Sequence, residues 1–267
     1  MELVDQVDVA PTWARKDLGQ TGGGEISRRI RPMNSAETYV ANAVSMWSSF
    51  APIIETSDLV LGVEPPGGRR YVVRRRLDSE SVELLLDGLR SEGRVVVEDP
   101  FGAMPPLVSG ALTVRMPVMN RPPGEVISVD RPGVTIAPVA DTDALGDAER
   151  VIVDGFPYRH FQPWMPGCAL PSHVLDVPGW QTWLARRDGE PAAAGYTYDD
   201  GVAVGVYWLA TLAAHRGVGL GRAVMTAMLA AHPGRIATLV ATEAGLPLYA
   251  DLGFAAVSTA TWYIRTS

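Results

Sequence analysis

One stretch constrains this chain more than any other. An apolar, strand-like run ending at Leu212 enters a turn with glycine at 217, 219 and 221, and an amphipathic helix begins at Leu220. Glycine at alternate positions lets a backbone turn tightly and lets a ligand approach without meeting a Cβ. The helix behind the turn leaves its first N–H groups unpaired and adds partial positive charge there, so the natural occupant is a phosphate group. A strand, a phosphate-sized turn and a helix in that order demand an α/β architecture.

A second element follows the next strand: Leu248-Tyr249-Ala250-Asp251-Leu252-Gly253-Phe254. Together, the turn pattern (Arg216, Gly219, Gly221) and this Leu-Tyr-x-x-Leu-Gly-Phe element resemble the acyl-CoA-binding core of the GCN5-related N-acetyltransferases. The resemblance is sharp over residues 133–267. It implies the acyl-CoA N-acyltransferase fold, an α/β (in some schemes α+β) arrangement with a mixed, mostly antiparallel central sheet flanked by helices. Tandem copies occur in this family, so a degenerate first half is expected.

The order of elements agrees. Alternation and turn residues predict strands at 134–139, 180–187, 191–198, 202–211 and 236–242, and a last strand ending near 264. Asp141 is placed to cap a helix with Leu145, Ala148, Val151 and Ile152 on one face, ended by Gly155. Further helices are expected at 220–231 and 246–252. Upstream, helices at 36–49 and 79–91 alternate with strands at 59–63, 70–76, 94–98 and 111–119. Residues 1–34, with Gly22-Gly23-Gly24, read as an arm. Within them Gln20 and Gly23 start a phosphate-turn pattern that fails at Glu25. The expected division is an arm at 1–34, a degenerate acetyltransferase-like domain at 35–130 and a catalytic domain at 131–267. Arg121-Pro122-Pro123-Gly124 and Arg131-Pro132-Gly133 bracket the expected linker. The arginine-rich run 74–76 with Arg70 reads as a solvated strand face.

Composition narrows the function. A net charge of −7 argues against a nucleic-acid partner. Lys16 is the only lysine among 23 basic residues, which excludes a Gly-Lys-Ser/Thr phosphate loop and argues against a pyridoxal Schiff base. The four histidines show no metal-ligand spacing. Cys168 is the only cysteine, so no internal disulfide can form, consistent with a reducing cytoplasm. No signal peptide or membrane span is legible. A soluble cytoplasmic protein, monomer or homodimer, is expected.

The resemblance assigns roles by position. Acetyl-CoA is the expected co-substrate, held by Arg216, Gly217, Val218, Gly219, Leu220, Gly221 and Arg222, with Arg216 and Arg222 positioned to add charge. Leu209 and Thr211 would offer main-chain groups to the pantetheine arm, and an N–H near Leu209 would polarise the thioester carbonyl. Thr242 stands where relatives carry Asn or Ser. Tyr249 stands where relatives keep a tyrosine near the CoA sulfur, as the acid for the departing thiolate. Phe156, His160, Trp164 and Trp180 fall in an aromatic, proline-rich segment that either shapes the acceptor pocket or forms a small aromatic core. Cys168 lies there as well, without a recognisable base to make it a nucleophile. Glu243, His160, His173 or a held water could serve as general base, and none is assigned. The expected reaction is acetyl transfer to the amine of a small molecule by direct attack. Two alternatives remain: a CoA-binding sensor without catalysis, or other CoA-ester chemistry such as decarboxylation.

Overall fold

The computed structural model describes residues 35–127, 131–156 and 158–266. The expected arm at 1–34, with Gln20, Gly23 and Glu25, and residues 128–130 of the linker lie outside the described residues. Helix α1 (Glu37–Phe50) is followed by β1 (Ile53–Thr56), β2 (Val60–Val63), β3 (Arg69–Val73), α2 (Ser79–Arg90), β4 (Val95–Asp99) and β5 (Leu112–Arg121). Then come β6 (Val134–Pro138), α3 (Thr142–Gly155), β7 (Trp180–Arg187), β8 (Glu190–Asp199) and β9 (Ala203–Thr211). The chain ends with α4 (Leu220–Ala230), β10 (Ile236–Val240), α5 (Leu246–Asp251) and β11 (Ala255–Arg265).

All eleven strands join one sheet in the order β1-β2-β3-β4-β11-β5-β10-β9-β8-β7-β6. Most pairs are antiparallel. The parallel ones, β3 with β4 and β9 with β10, each have a helix as the crossover, which parallel neighbours require. The centre of the order is the unexpected part. Strand β11 lies beside β4, with Tyr263 opposite Val97, and β5 lies beside β10, with Asn120 opposite Thr238. The two strands also pair with each other from Ala255↔Asn120 to Ile264↔Leu112, across a bulge at Val257. Each therefore completes the strand set of the other segment, and the sheet does not divide near residue 130.

Side-chain alternation assigns the faces. Val96 and Glu98 of β4 point to the face covered by α1 and α3, whereas Val95 and Val97 point to α2 on the opposite face, which also carries α4. Helix α3 presents Leu145, Ala148, Val151 and Ile152 to the first core. Asp141 caps it by accepting from the Ala144 N–H at 2.8 Å. Helix α1 spans the seam. Its Asn42 donates to the Tyr198 and Ala203 carbonyls and accepts from Tyr207, while its Tyr39 donates to Glu98.

Two local expectations fail. Strand β1 has no burial alternation and forms an exposed sheet edge, so periodicity does not reveal it. Strand β3 ends at Val73, leaving Arg74, Arg75 and Arg76 outside it. Arg70 is buried at 6% exposure, not solvated.

The exchange makes a prediction about fragments. Expressed alone, residues 131–267 would expose the edge of β10 and strip β11 of both neighbours, so they should aggregate. Co-expressed with residues 1–127, they should copurify as a soluble one-to-one complex. Size-exclusion chromatography reads the result, and a soluble, monomeric isolated fragment would contradict this account.

Candidate active site

The site begins where β9 and β10 part. Their parallel pairing runs only from Ile236↔Ala203 to Thr238↔Gly205, and beyond it each strand goes its own way. A bulge in β9 enforces the parting. Trp208 has φ +50°, and register with β8 slips between Ala194 and Tyr196. Gly195 faces the bulge because a Cβ there would lie 2.9 Å from the Leu209 Cα. Leu212 N–H pairs with Ala192 on β8, so strand alternation turns the main-chain groups of Thr211 and Leu209 toward the open edge.

Past that edge lies the glycine turn. Gly219 has φ +81° and precedes α4 with no side chain capping the helix, so among the described residues the first N–H groups of α4 remain free. A cleft of about 410 Å³ opens over them, lined by Thr211, His215, Arg216, Gly217, Gly219, Leu220, Gly221, Arg222, Ala244, Pro247, Leu248 and Asp251. The chain thus brings together the turn residues singled out in the sequence, apart from Val218. That residue does not line the cleft, and its carbonyl accepts from Arg131 Nη1 at 3.0 Å.

The arginines behave differently from their sequence reading. Arg216 donates to the Thr211 carbonyl at 3.0 Å and to the Gly155 carbonyl at 2.9 Å, tying the turn to the end of α3. That bond also occupies the Thr211 carbonyl. Arg222 pairs with Asp251 at 2.7 Å across the cleft, and both side chains are exposed enough for an incoming phosphate to displace the pair. Arg131, which the sequence marks only as linker, brings its guanidinium to the turn beside Gly219. Its position follows from strand order, which no local pattern encodes. His215 also lines the cleft, with a buried Nδ1 that has no hydrogen-bond partner among the described residues.

Tyr249 sits on α5 next to the cleft residue Leu248, but its ring turns inward against Phe254 and beneath Gly245. Burial pushes its phenol up to about 12. The hydroxyl makes no hydrogen bond among the described residues, and Tyr249 does not line the cleft. Thr242 is exposed at the end of β10, where its carbonyl accepts from the Gly245 and Leu246 N–H groups.

On the α1 face, at the root of the parting, lies a second and tighter pocket of about 60 Å³. Val206, Tyr207, Trp208 and Val240 come from the parting strands. Tyr39, Trp47, Arg70 and Glu98 come from the first segment, and Trp262 from β11. Arg70 forms an ion pair with Glu98 and lies between the rings of Trp47 (4.6 Å) and Trp262 (5.0 Å). Tyr39 donates to the other Glu98 oxygen at 2.9 Å. None of these first-segment residues stands out in the sequence. A lone Glu inside a valine strand, Val95-Val96-Val97-Glu98, is the one signal that could have found the pocket.

The aromatic segment divides between the two readings left open for it. Phe156 stacks on Tyr158 at 5.3 Å, and Tyr158 lies 5.8 Å from Trp208 at the pocket. His160 contacts Tyr158 and Phe161; burial, with Arg94 and Arg70 nearby, holds its imidazole down to about 4, so it is neutral at pH 7. Trp164 packs into a small cluster with Val153, Phe161 and Ala169, and Arg150 lies over its ring. Trp180 is a core residue, stacked on Tyr196 at 4.2 Å, and reaches neither cleft. Glu149 anchors the segment, its buried carboxylate accepting from the N–H groups of Gly167, Ala169 and Leu170. His173 contacts the Phe50 carbonyl through Nε2, and Glu243 is exposed at a short 3-10 turn. Burial pushes the Cys168 thiol up, away from a reactive thiolate. Among the described residues no cluster of three His, Cys, Asp or Glu could hold a metal ion, and no helix is long and apolar enough to cross a membrane.

A sheet parting beside an uncapped helix start, with an open cleft on one side and an aromatic pocket on the other, defines a class: an acyl-CoA-dependent transferase fold. Comparison supports that class. Residues 178–256 match the acetyltransferase (GNAT) domain family. A GCN5-related N-acetyltransferase from Kribbella flavida superposes with TM-score 0.60 at 21% identity, covering 88% of this chain and 97% of its own. A GNAT-family protein from Novosphingobium aromaticivorans gives TM-score 0.59 at 19% identity, with 89% and 99% covered. A GCN5-related N-acetyltransferase-like protein from Streptococcus suis gives TM-score 0.55 at 12% identity, with 86% and 98% covered. No curated protein matches the sequence. The match to the GNAT family thus covers residues 178–256, and beyond them the likeness is one of fold.

Two predictions follow from the geometry. Gly219→Val puts a branched side chain at φ +81°, with its Cβ 2.6 Å from Arg131 Nη2. It should cost about 1–2 kcal/mol in stability and weaken CoA binding at least about tenfold by calorimetry. Unchanged affinity in a folded variant would remove the turn from the binding site. The second concerns the buried pair. Arg70→Met and Glu98→Gln should each destabilise by about 3–5 kcal/mol, because each strands a charge. The double variant should lose less than their sum in urea unfolding, whereas strict additivity would show that the pair is not coupled.

Proposed function

We propose that this chain transfers an acetyl group from acetyl-CoA to the amine of a small molecule, by direct attack within a ternary complex. The observation that carries the reading is the opening of β9 from β10 beside the free N–H groups of α4. Gly219 and Gly221 provide a cradle that side chains would fill: a Cβ at 221 would already touch Thr211 Oγ1 at 3.4 Å. The diphosphate would rest on residues 217–222 with Arg131 and Arg222 at hand. The pantetheine arm would run along the open edge of β9. Between Thr211 and Trp208 that edge spans roughly 10 Å at the usual strand rise, leading from the cleft toward the tight pocket.

In this reading the neutral amine attacks the thioester carbonyl carbon from the pocket side. The Leu209 N–H stabilises the oxyanion; the C–N bond forms and the C–S bond breaks. The thiolate leaves toward Tyr249, and the proton lost by nitrogen passes to solvent. A phenol near 12 is a weaker acid than a thiol near 8.5, so Tyr249 acts chiefly as a hydrogen-bond donor to the sulfur as charge builds there. Glu98 is a poor base here because Arg70 and Tyr39 already occupy both of its oxygens.

Residues 35–130 are, on the same reading, a degenerate copy of residues 131–267. Each segment runs antiparallel pair, helix, parallel strand (β2-β3-α2-β4 against β8-β9-α4-β10), and each gives its last strand to the other. No glycine turn precedes α2, which Asp78 caps, so one CoA per chain is expected.

Tyr249→Phe tests the chemistry. It removes a hydroxyl with no hydrogen-bond partner among the described residues, so the melting temperature should hold. The transfer rate should fall roughly ten- to a thousandfold with CoA affinity little changed. A rate within twofold of wild type, with chemistry limiting, would make Tyr249 a packing residue. Binding without turnover on any amine would favour a CoA sensor instead.

A further inference from the structure

The bulge that opens the sheet is gripped from the first segment. Trp208 has φ +50°, a conformation that a non-glycine residue keeps only where its surroundings fix it. Its neighbour Tyr207 is the last residue of β9 in register before the slip, opposite Tyr196 of β8. The Tyr207 ring stacks on Tyr196, with centroids 5.3 Å apart and planes at 18°. Its hydroxyl donates to Asn42 Oδ1 of helix α1 at 2.7 Å. Burial raises the Tyr207 phenol well above its ordinary value, so it stays a donor. Asn42 is fully buried, and its amide nitrogen donates to the Tyr198 carbonyl at 3.1 Å and the Ala203 carbonyl at 3.0 Å. Those carbonyls belong to β8 and β9, the two strands between which the slip occurs. Both amide donors are thus spent, and the side chain is locked in one orientation. Gly205, where the β9–β10 pairing ends, gives the room: a Cβ there would collide with Asn42 Oδ1 and the Tyr207 ring.

From this chain of contacts we propose that Asn42 and Tyr207 are positioning residues: their hydrogen bond sets the direction of the Leu209 N–H that receives the oxyanion. The inference rests on the transferase reading and gives the first segment a part in the chemistry. The bulge is held at both ends. Beyond it, Ala210 and Thr211 return to register with Ala194 and Ala193; before it, Tyr207 is pinned by its stack and its hydrogen bond. Only Trp208 and Leu209 lie between, so the peptide plane that carries the Leu209 N–H has little freedom to turn. Without the Tyr207 hydroxyl one grip loosens and that plane can rotate. An oxyanion donor works by being aimed, before reaction, at the place where charge will develop, so a rotated donor costs rate rather than cofactor binding. The diphosphate would sit on the turn before α4, in a cleft that Tyr207 does not line. Tyr198 supplies the contrast. Its hydroxyl meets Ser45 of α1 at 3.1 Å and so bridges the same two segments, but it lies opposite Gly205, clear of the slip.

The test compares Tyr207→Phe with Tyr198→Phe in the full chain. Each removes one hydroxyl bonded to α1, and only the first adjoins the bulge. Activity is acetyl transfer from acetyl-CoA to the most active member of a panel of small primary amines. In Tyr207→Phe, kcat should fall roughly 10- to 100-fold while the CoA dissociation constant, by calorimetry, stays within about twofold. In Tyr198→Phe both should stay within about twofold of wild type. The Leu209 amide is read directly by nuclear magnetic resonance, with carbonyl-labelled tryptophan and nitrogen-labelled leucine. Only Trp183-Leu184 and Trp208-Leu209 join those two residue types in that order. The Trp208–Leu209 signal should shift in Tyr207→Phe and hold in Tyr198→Phe, and the Trp183–Leu184 signal should hold in both. An undiminished kcat in Tyr207→Phe, an unmoved Trp208–Leu209 signal, or equal losses in the two variants overturns the inference and leaves the transferase standing. If the wild-type chain acetylates no amine, the transferase reading fails and the amide signal decides alone: a shift confined to Tyr207→Phe supports the positioning of the Leu209 N–H, and its absence refutes it.

Discussion

The antiparallel pairing of β5 with β11 is the contact on which the rest of the molecule depends. Each strand is held on one side by its exchanged partner and on the other by a strand of the opposite segment, β10 for β5 and β4 for β11. Neither β4 nor β10 could otherwise be covered along that edge. An open edge of this length is a template for aggregation. Closing it with strands from the other segment makes the segments inseparable and fixes their relative position to within a strand spacing. Long-range pairing of this kind is slow to form, because the chain must close large loops before any contact rewards it.

That fixed position is what joins two chemistries. The phosphate-sized cleft is built locally, by a strand, a turn and a helix adjacent in sequence. The tight pocket is not local at all. Arg70, Glu98, Trp262, Val240 and Tyr207 come from β3, β4, β11, β10 and β9, and the exchange of β5 and β11 is what brings the β3–β4 pair alongside the β9–β10 pair. Helix α1 closes it from above with Tyr39 and Trp47. The bulge at Trp208 lies between the two, so on the proposed reading a small change in strand register would misalign donor and acceptor. Proximity contributes much of the catalysis available to a transferase, and its loss over about 1 Å can cost roughly a hundredfold in rate.

What could be read from the sequence divides along the same line. The strands, helices and caps near residues 134–252 were legible because each is announced within a few residues: Asp141 before α3, alternation in β7 to β9, glycines before α4. The first segment yielded its helices and most strands for the same reason. Strand β1 gives no periodic signal since both its faces are exposed, and Arg70 reads as solvated because its neighbours in sequence are. Burial depended on Trp47 and Trp262, which no local rule pairs with it. Trp180 reads as a pocket residue by composition, yet β7 sets it opposite Tyr198 on β8 and it stacks on the diagonal neighbour Tyr196, in the core. Arg131 came to the turn by the same route, through strand order.

The buried pair of Arg70 and Glu98 raises a question of energetics that bears on function. Withdrawing two charges from water costs several kcal/mol per ion, and an apolar pair of equal volume would serve the core as well or better. Burial and the neighbouring Arg94 lower the Arg70 guanidinium to about 10, still protonated at pH 7. Stability alone does not explain its retention at the seam. The guanidinium is flanked by two indoles, and Glu98, itself held by Tyr39, is its charged partner there. The carboxylate neutralises the charge and fixes the plane of the fork. On the proposed reading the ion pair holds the floor of the acceptor pocket, and the first segment, which has no glycine turn before α2, would supply that wall while the second supplies the cofactor cleft.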